Sequence, residues 1–254
     1  MKRIALAIIL IAAVFVNQQA RADEGAVQFE QANQLYRTGD YKKAADIYEQ
    51  IVTNGYESPD LYFNLGNAYF KLKNIPLAIL NYERARRLSP HDDDILYNLK
   101  LCNLRIIDRI DPLPTLFLVE WYRSFINLNS ADGWSTVGIV AMWIAMFCAA
   151  LFLITRSMAL RRVTLLVSVL SFLLVLVSFV GVYQRTRIEQ TEQAAIVLAQ
   201  TASVKSAPDA QSTDLFVLHE GLKIDILDSV GDWKKIRLAD GKVGWLAVGS
   251  IEAI

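Results

Sequence analysis

The chain has 254 residues, a length that suits one or two domains. Its 26 basic and 26 acidic side chains give a formal net charge of zero. Such a chain has no excess of positive charge for a phosphate backbone, so we expect no nucleic-acid partner. Hydrophobic residues make up 54% of the chain, which favours a membrane protein over a soluble one. With only Cys102 and Cys148, the sequence predicts no disulfide framework.

The N-terminus has the features of a secretory signal. Two basic residues, 2–3, precede thirteen apolar residues, 4–16, which are too few to span a bilayer comfortably. A pattern of small residues suited to cleavage ends at Ala22. We therefore expect residues 1–22 to be a cleaved signal peptide, so that the mature chain begins on the far side of the membrane. The alternative is an uncleaved anchor.

Two repeats occupy the next segment. The sequence FEQANQLYRTGDYKKAADIYEQIV aligns with FNLGNAYFKLKNIPLAILNYERAR at an offset of 34 residues, so that Tyr48 matches Tyr82. This period, with small residues where helices approach and with Pro90 ending the last helix, is typical of the tetratricopeptide repeat, a helix–turn–helix unit. We predict an all-α tetratricopeptide solenoid over residues 23–111. A third helix, DDDILYNLKLCNLRIID, should cap it, beginning at residues 92–94.

Equivalent positions on the first helix of each repeat line the concave surface, where such solenoids usually contact peptides. The candidate binding residues are Phe29, Asn33, Tyr36, Arg37, Phe63, Asn67, Phe70 and Lys71. An asparagine amide both donates and accepts, so it can hold an extended peptide backbone of any sequence, and the cations favour an acidic or C-terminal segment. The alternative is that these repeated residues only maintain helix packing.

Residues 112–133 form a short aromatic segment before the membrane spans. Phe117, Trp121, Tyr122 and Phe125 lie on roughly one helical face. One interpretation is an amphipathic helix that lies at the outer surface of the membrane which the next two segments span, with its aromatic rings towards the lipid headgroups. The other is ordinary packing against the neighbouring soluble domain.

Two uncharged runs of twenty-one residues follow, at 134–154 and 163–183. At 1.5 Å per residue each can cross a hydrocarbon core of about 30 Å, so we predict a two-helix transmembrane hairpin rather than two buried core helices. The loop between them, 155–162, holds three arginines and no acid, which predicts a cytoplasmic position. The regions on both sides then lie outside, in the periplasm of a cell with two membranes. Residues 184–193 should form a short stalk.

The pattern becomes β-rich over residues 194–254. The runs AIVLA, LFVLH, KIDILDS, WKKIRLA and KVGWLAV are separated by turn signals, and Asp240-Gly241 marks a hairpin between the last two. These elements, with the motif D-G-x-x-G-W-L that begins at Asp240, resemble a small all-β bacterial SH3-like barrel. Such barrels often bind cell-wall peptides or protein segments. Trp233, beside a Gly-Asp turn, is therefore a candidate ligand surface, whereas we expect Trp245 in the core.

No catalytic group is evident in the sequence. His91 and His219 are the only histidines and belong to different modules. The motifs H-E-x-x-H, C-x-x-C, G-x-S-x-G and a phosphate-binding glycine loop are all missing from the sequence. We therefore expect no enzyme activity, no metal site and no cofactor.

The order of the modules is distinctive. A signal peptide, two repeats, the segment NLKLCNLRIIDRIDPLP, a hairpin, and a barrel containing TDLFVLHEGLKIDILDSVGDWKKIRLADGKVGWL follow one another. This arrangement resembles the Bacteroides aerotolerance (Bat) family of membrane proteins over essentially the whole chain. The signal and the hairpin predict a multi-pass protein of the cytoplasmic (inner) membrane, and the resemblance implies a membrane-anchored component encoded beside von Willebrand-type Bat proteins and a MoxR-type ATPase. It also implies a link to oxidative-stress tolerance or envelope integrity, and it supplies no catalytic residues.

The sequence thus predicts a multidomain, membrane-anchored scaffold whose two soluble domains face the periplasm. Its partners would be the lipid bilayer and other proteins, of the Bat type if the resemblance holds. The alternative function is a cell-wall sensor or tether whose barrel binds peptidoglycan. An enzyme is the third class and has no support from the residues.

Overall fold

A computed structural model describes residues 25–111, 113–114, 116–191 and 193–254 of the chain. The expected signal peptide, residues 1–22, lies outside the described residues. The three expected architectures are present in order: paired helices, two long apolar helices, and an antiparallel β domain. The fold class is therefore confirmed.

The N-terminal domain, here called the repeat domain, consists of helix pairs. Its helices are α1 (residues 25–37), α2 (Tyr41–Thr53), α3 (Pro59–Lys71), α4 (Ile75–Leu88) and α5 (Asp93–Asn103). Helices α1 and α2 form the first repeat, α3 and α4 form the second, and α5 caps the array. The matched tyrosines Tyr48 and Tyr82 are both fully buried in one continuous core. This is the core that the 34-residue alignment predicts.

Helix starts recur with the same period. Asp40 and Asn74 cap α2 and α4, and each side chain accepts a hydrogen bond from a backbone N–H three residues further on. Ser58 and Asp92 cap α3 and α5 in the same way. Each pair lies 34 residues apart. Local capping chemistry therefore fixes where the helices of each repeat begin.

The capping helix is shorter than the sequence suggests. Helix α5 ends at Asn103, and residues 104–111 with 113–114 form an extended segment, here called the strap, that crosses to the C-terminal domain. Ile110 packs against the core of that domain, and the backbone N–H of Leu113 donates to the C=O of Ala239 at 3.2 Å. The expectation of a helix through Asp108 is wrong: the chain leaves the helix after Asn103, and Asp108 bonds instead to His219 of the C-terminal domain.

Three further helices follow: α6 (Phe117–Ile126), α7 (Ala131–Ile154) and α8 (Met158–Thr191). Trp134 of α7 lies against Gly181 of α8, while Ser168 of α8 donates to the C=O of Ala145 at 3.0 Å, so the two helices are antiparallel. Both are long and apolar enough to cross a membrane, and only 11% of the most apolar 18-residue stretch of each is buried. This low burial is unlike that of core helices in a soluble protein.

The turn of this hairpin is tighter than the expected loop at 155–162. Only residues 155–157 are non-helical, and α8 begins at Met158, where the C=O of Ser157 accepts from the N–H of Arg161 at 2.9 Å. Arg161 and Arg162 thus lie in the first turns of α8. Helix α8 also continues through most of the expected stalk, 184–193. The arginine cluster still marks the turn end of the hairpin.

The C-terminal domain, here called the barrel domain, is one antiparallel sheet with the strand order β3-β2-β6-β5-β4-β1-β7. Its strands are β1 (Gln193–Val197), β2 (Thr201–Lys205), β3 (Asp214–His219), β4 (Lys223–Val230), β5 (Trp233–Arg237), β6 (Val243–Ala247) and β7 (Ile251–Ala253). The expected hairpin at Asp240-Gly241 joins β5 to β6. Strand β2 is an addition to the expected strands, and it lies inside the sheet between β3 and β6. Residues from β1 to β6 share one buried cluster, so the sheet wraps around its core.

Gly39 and Lys73 test the turn inside each repeat. They occupy equivalent positions and both have positive φ, +87° and +63°. Among the described residues no heavy atom lies within 4 Å of a Cβ added to Gly39, so a substitution there changes only backbone strain. We expect Gly39→Ala to lower the free energy of unfolding by about 1 kcal/mol, and Lys73→Gly not to lower it. Urea titration of the detergent-solubilised chain measures both, and equal losses would contradict this account.

Candidate functional site: the repeat groove and the outer face of the barrel

The two predicted asparagines of the groove belong to a repeating hydrogen-bond network. Oδ1 of Asn33 accepts from the hydroxyl of Tyr48 at 2.6 Å and from Nδ2 of Asn64 at 3.1 Å. Tyr48 lies on the second helix of the same repeat, and Asn64 lies on the first helix of the next. Asn33 therefore joins three helices.

Asn67 makes the same contacts one repeat later. Its Oδ1 accepts from the hydroxyl of Tyr82 at 2.7 Å and from Nδ2 of Asn98 at 3.0 Å. Asn98 belongs to the capping helix α5, so the network runs through the whole domain. Asn64 and Asn98 were not among the predicted groove residues, although both are asparagines and lie 34 residues apart. Their spacing was the signal that could have identified them.

Burial keeps these tyrosines in the donor form. Desolvation raises the pKa of Tyr48 to about 12 and raises the pKa of Tyr82 further. Both hydroxyls therefore keep their protons at physiological pH, and the asparagine oxygens remain occupied. The amide nitrogens of Asn33 and Asn67 are the remaining hydrogen-bonding groups of these side chains, and that of Asn33 makes one long bond, 3.4 Å, to the exposed Glu30. Such donors suit a carbonyl or carboxylate oxygen.

Aromatic rings form the floor of the groove. Phe29 packs against Tyr48 and Phe63 packs against Tyr82, with ring centroids 5.8 Å apart in both pairs. Both phenylalanines are half-buried, so each contributes to the core and still presents an edge to the groove. The packing role that we considered as an alternative is thus present alongside a solvent-facing surface.

The two ends of the groove differ. At one end Tyr36 packs edge-on against Tyr41, with centroids 5.2 Å apart, and Arg37 forms an exposed ion pair with Glu30. At the other end the guanidinium of Arg105 covers the ring of Phe70 at 4.4 Å, next to the exposed Lys71. The described groove therefore has amide donors along its length and a basic end at Phe70.

Trp233 and Trp245 share the outer face of the barrel domain. Trp233 pairs with Ala247 and Lys235 pairs with Trp245 across strands β5 and β6. Gly244 and Leu246, on either side of Trp245, are buried, so alternation along the strand turns Trp245 outward. The expectation of a core position for Trp245 is wrong, because it is half-buried on the surface. Trp233 is half-buried beside it.

The repeat domain and the barrel domain share strand β1. Ala195 and Val197 point into the barrel core, whereas Ile196, which is 0% exposed, joins the core of the repeat domain. Leu198 and Ile254 pack against the same helical core. Strand β1 is therefore buried on both faces. Helix α4 packs on the face of β1 that points away from the barrel core.

A buried carboxylate supports this junction. Oε2 of Glu83 on α4 accepts from Nζ of Lys223 on β4 at 2.7 Å and from Arg86 at 2.7 Å. Burial alone raises the pKa of Glu83, but the charges of Lys223 and Arg86 outweigh burial, so its pKa lies below the ordinary value. Arg84 adds a second contact across the junction, to Glu252 at 3.1 Å.

Both histidines hold elements together. The backbone N–H of His219 donates to Asp108 of the strap at 2.6 Å, and its ring Nδ1 lies 2.9 Å from the same carboxylate. The ring of His91 contacts the backbone C=O of Asn127, between α6 and α7. Arg185 of α8 donates to the side chain of Asn127 at 2.8 Å. The repeat domain is thus fixed to the hairpin, and the strap is fixed to the barrel.

Comparison with known families agrees with this geometry. Residues 29–93 match the tetratricopeptide repeat family, and residues 200–252 match the bacterial SH3 domain. No curated protein matches the chain. The matched segments correspond to the two helix pairs and to strands β2–β7. Both are interaction modules, which indicates partner binding as the general role of the chain.

Asn67 tests the hydrogen-bond network. We expect Asn67→Ala to lower the free energy of unfolding by about 1–3 kcal/mol, because Tyr82 and Asn98 would lose their common acceptor. Asn67→Asp keeps the oxygen and should lose less. Urea titration compares the two variants. If Asn67→Ala unfolds at the same urea concentration as the wild type, the network does not support the fold.

Glu83 tests the junction through its pH dependence. Because folding lowers its pKa, the charged form stabilises the folded chain above the unfolded value and this contribution is lost as pH falls through the folded value. Glu83→Gln should therefore lower the thermal midpoint at pH 7, and the difference from wild type should shrink below about pH 4. Asp46→Asn, which breaks the exposed pair with Lys42, is the control and should change little. A difference that stays constant with pH would contradict this role.

Proposed function

We propose that this protein is a non-catalytic, membrane-anchored scaffold. It presents the repeat groove and the barrel domain as one unit on the outer face of the cytoplasmic membrane, in the periplasm, and gathers protein partners there. The observation that carries this proposal is the burial of strand β1 between the barrel core and helix α4. Two interaction modules joined in this way move and bind together.

The contact between the domains supports a common side of the membrane. Glu83 and Lys223 belong to segments that precede and follow the hairpin, and they are 2.7 Å apart. A bilayer crossed by α7 and α8 therefore leaves both domains on one side. Three arginines, Arg156, Arg161 and Arg162, lie at the opposite end of the hairpin, and such clusters favour the cytoplasm. The two soluble domains then lie on the outer side of the membrane, which is also the side to which the expected signal peptide would export the chain.

Helix α6 supports contact with the membrane interface. Phe117 is 76% exposed and Trp121 is 62% exposed, so these rings do not pack against the soluble domains. Ile126 is buried, and the helix leads directly into α7. Exposed aromatic residues beside a membrane span suit the headgroup layer. We therefore favour the interfacial helix of the two interpretations.

The groove chemistry supports a partner segment with free oxygens. Amide donors from Asn33 and Asn67 and the cations Lys71 and Arg105 favour a C-terminal or acidic peptide. For the partners we propose Bat-type membrane proteins, on the module order and on the segment NLKLCNLRIIDRIDPLP. In the structure this segment supplies the end of α5 and the strap. A link to aerotolerance or oxidative-stress resistance follows from the same resemblance.

Charge reversal in the groove tests the scaffold function. The full chain is crosslinked mildly in cells, solubilised and purified, beside the variant Arg37→Glu/Lys71→Glu. Both side chains are exposed, so the variant should fold normally, whereas alanine at Asn33 or Asn67 would disturb the network. We expect Bat-type proteins to be captured by the wild type and lost from the variant. Capture that is equal in both would exclude the groove as their binding site.

Cell-wall binding through the barrel remains the second candidate function. The outer face with Trp233, Trp245 and Lys235 supports it, because aromatic faces beside a cation suit sugar and peptide ligands. The test is sedimentation of the full chain with murein sacculi, since an isolated barrel would expose Ile196. This candidate predicts co-sedimentation that weakens in Trp233→Ala. A full chain that stays in the supernatant would exclude it.

A further inference from the structure

Helix α5 exposes a face that its counterpart in the preceding repeat buries. On α3 this face consists of Tyr62, Leu65, Gly66 and Tyr69, and helix α4 covers it. The residues 34 positions later on α5 are Leu96, Leu99, Lys100 and Asn103, of which Leu99 is still buried and the other three are exposed. Tyr62 is 3% exposed, whereas Leu96 is 40% exposed. The change follows from what comes after each helix.

In a complete third repeat, a second helix would follow α5 and pack on this face. The chain has the strap at that point instead. In the second repeat the ring of Tyr82 on α4 lies so close to Gly66 that an added Cβ would be 2.7 Å away. At the equivalent Lys100, the described chain continues instead as the strap towards the barrel domain. The position left open is a cleft of about 840 Å³ bounded by α4, α5, the strap and strand β4. We call this cleft the end slot.

The end slot combines an apolar stripe with positive charge. Leu96 and Lys100 lie one turn apart on α5, and Leu104 follows at the first position of the strap, where it is 60% exposed. The basic side chains that line the slot are Arg86, Lys100, Arg109 and Lys223. Among the described lining residues Glu83 is the one acid, and it already accepts from Lys223 and Arg86. The lining therefore carries an excess of positive charge.

We propose that the end slot binds an amphipathic helix of a partner protein, with its apolar side chains on Leu96 and Leu104 and its carboxylates on Lys100 and Arg109. A helix is the occupant because the same face of the preceding repeat packs against one. Acidic residues are required because the cations around the slot need compensation when a helix excludes water from them. The site is distinct from the groove, since it lies beside α4 at the end of the array.

The test uses the full chain in nanodiscs of zwitterionic lipid and two fluorescent peptides. Each has 14 residues, the length of α4, with leucines at helical spacing. One peptide carries glutamates beside the leucines and the other carries lysines at those positions. Fluorescence anisotropy should give about tenfold tighter binding of the glutamate peptide. Lys100→Glu/Arg109→Glu should weaken that binding by about tenfold, which corresponds to about 1.4 kcal/mol.

The matched control is Arg37→Glu/Lys71→Glu, which makes the same change of net charge in the groove. It should leave the affinity of the glutamate peptide within about twofold. Binding that is lost only in this control would assign the peptide to the groove and overturn the end slot, while leaving the scaffold function intact. Equal binding to all variants would also overturn it. So would displacement of the peptide by anionic lipid in the nanodisc, or by a second copy of the chain as concentration rises.

Discussion

The rest of the structure depends on the burial of strand β1 between two cores. Its residues alternate, with Ala195 and Val197 inside the barrel domain and Ile196 inside the repeat domain. Separation of the domains would expose Ile196 together with Leu198 and Ile254, which is unfavourable because burial of apolar surface is the main stabilising term. The junction also encloses Glu83, and a buried carboxylate needs partners of opposite charge. Lys223 and Arg86 supply them, one from each domain.

This junction gives the molecule its functional geometry. The first helices α1, α3 and α5 carry the groove, and the barrel docks on the second helix α4, so that the two surfaces are held in fixed relation. The strap reinforces the arrangement by joining the end of α5 to His219 through Asp108. His91 then connects the joined domains to Asn127, just before the hairpin, and Arg185 of α8 donates to the side chain of the same asparagine. A partner that binds the groove is thereby held at a set position above the hairpin.

Local and periodic features could be predicted from the sequence, and features made by distant contacts could not. The repeats follow from a period that recurs in Tyr48 and Tyr82, and the hairpin follows from two long uncharged runs. The capping helix was predicted to continue through Asp108, whereas Asp108 bonds to His219 and Ile110 packs against the barrel core, both of them contacts with a distant part of the chain. Strand β2 was missed because TASVK has only Ala202 and Val204 to bury. For the groove, the sequence located the asparagines correctly on the first helices, but their hydrogen bonds to tyrosines depend on how the helices pack.

A distance measurement between the domains tests the central claim that they form one rigid unit. Spin labels are attached to cysteines introduced at the exposed positions Lys42 on α2 and Ser229 on β4. Cys148→Ala removes one native cysteine that could also react. Cys102 is buried, and burial raises the pKa of its thiol to about 11, so it stays unlabelled. Pulsed electron–electron double resonance of the full chain in nanodiscs should give a single narrow distribution of distances between the two labels. A broad distribution would contradict the claim, because it would mean that the barrel domain moves freely beside the repeats.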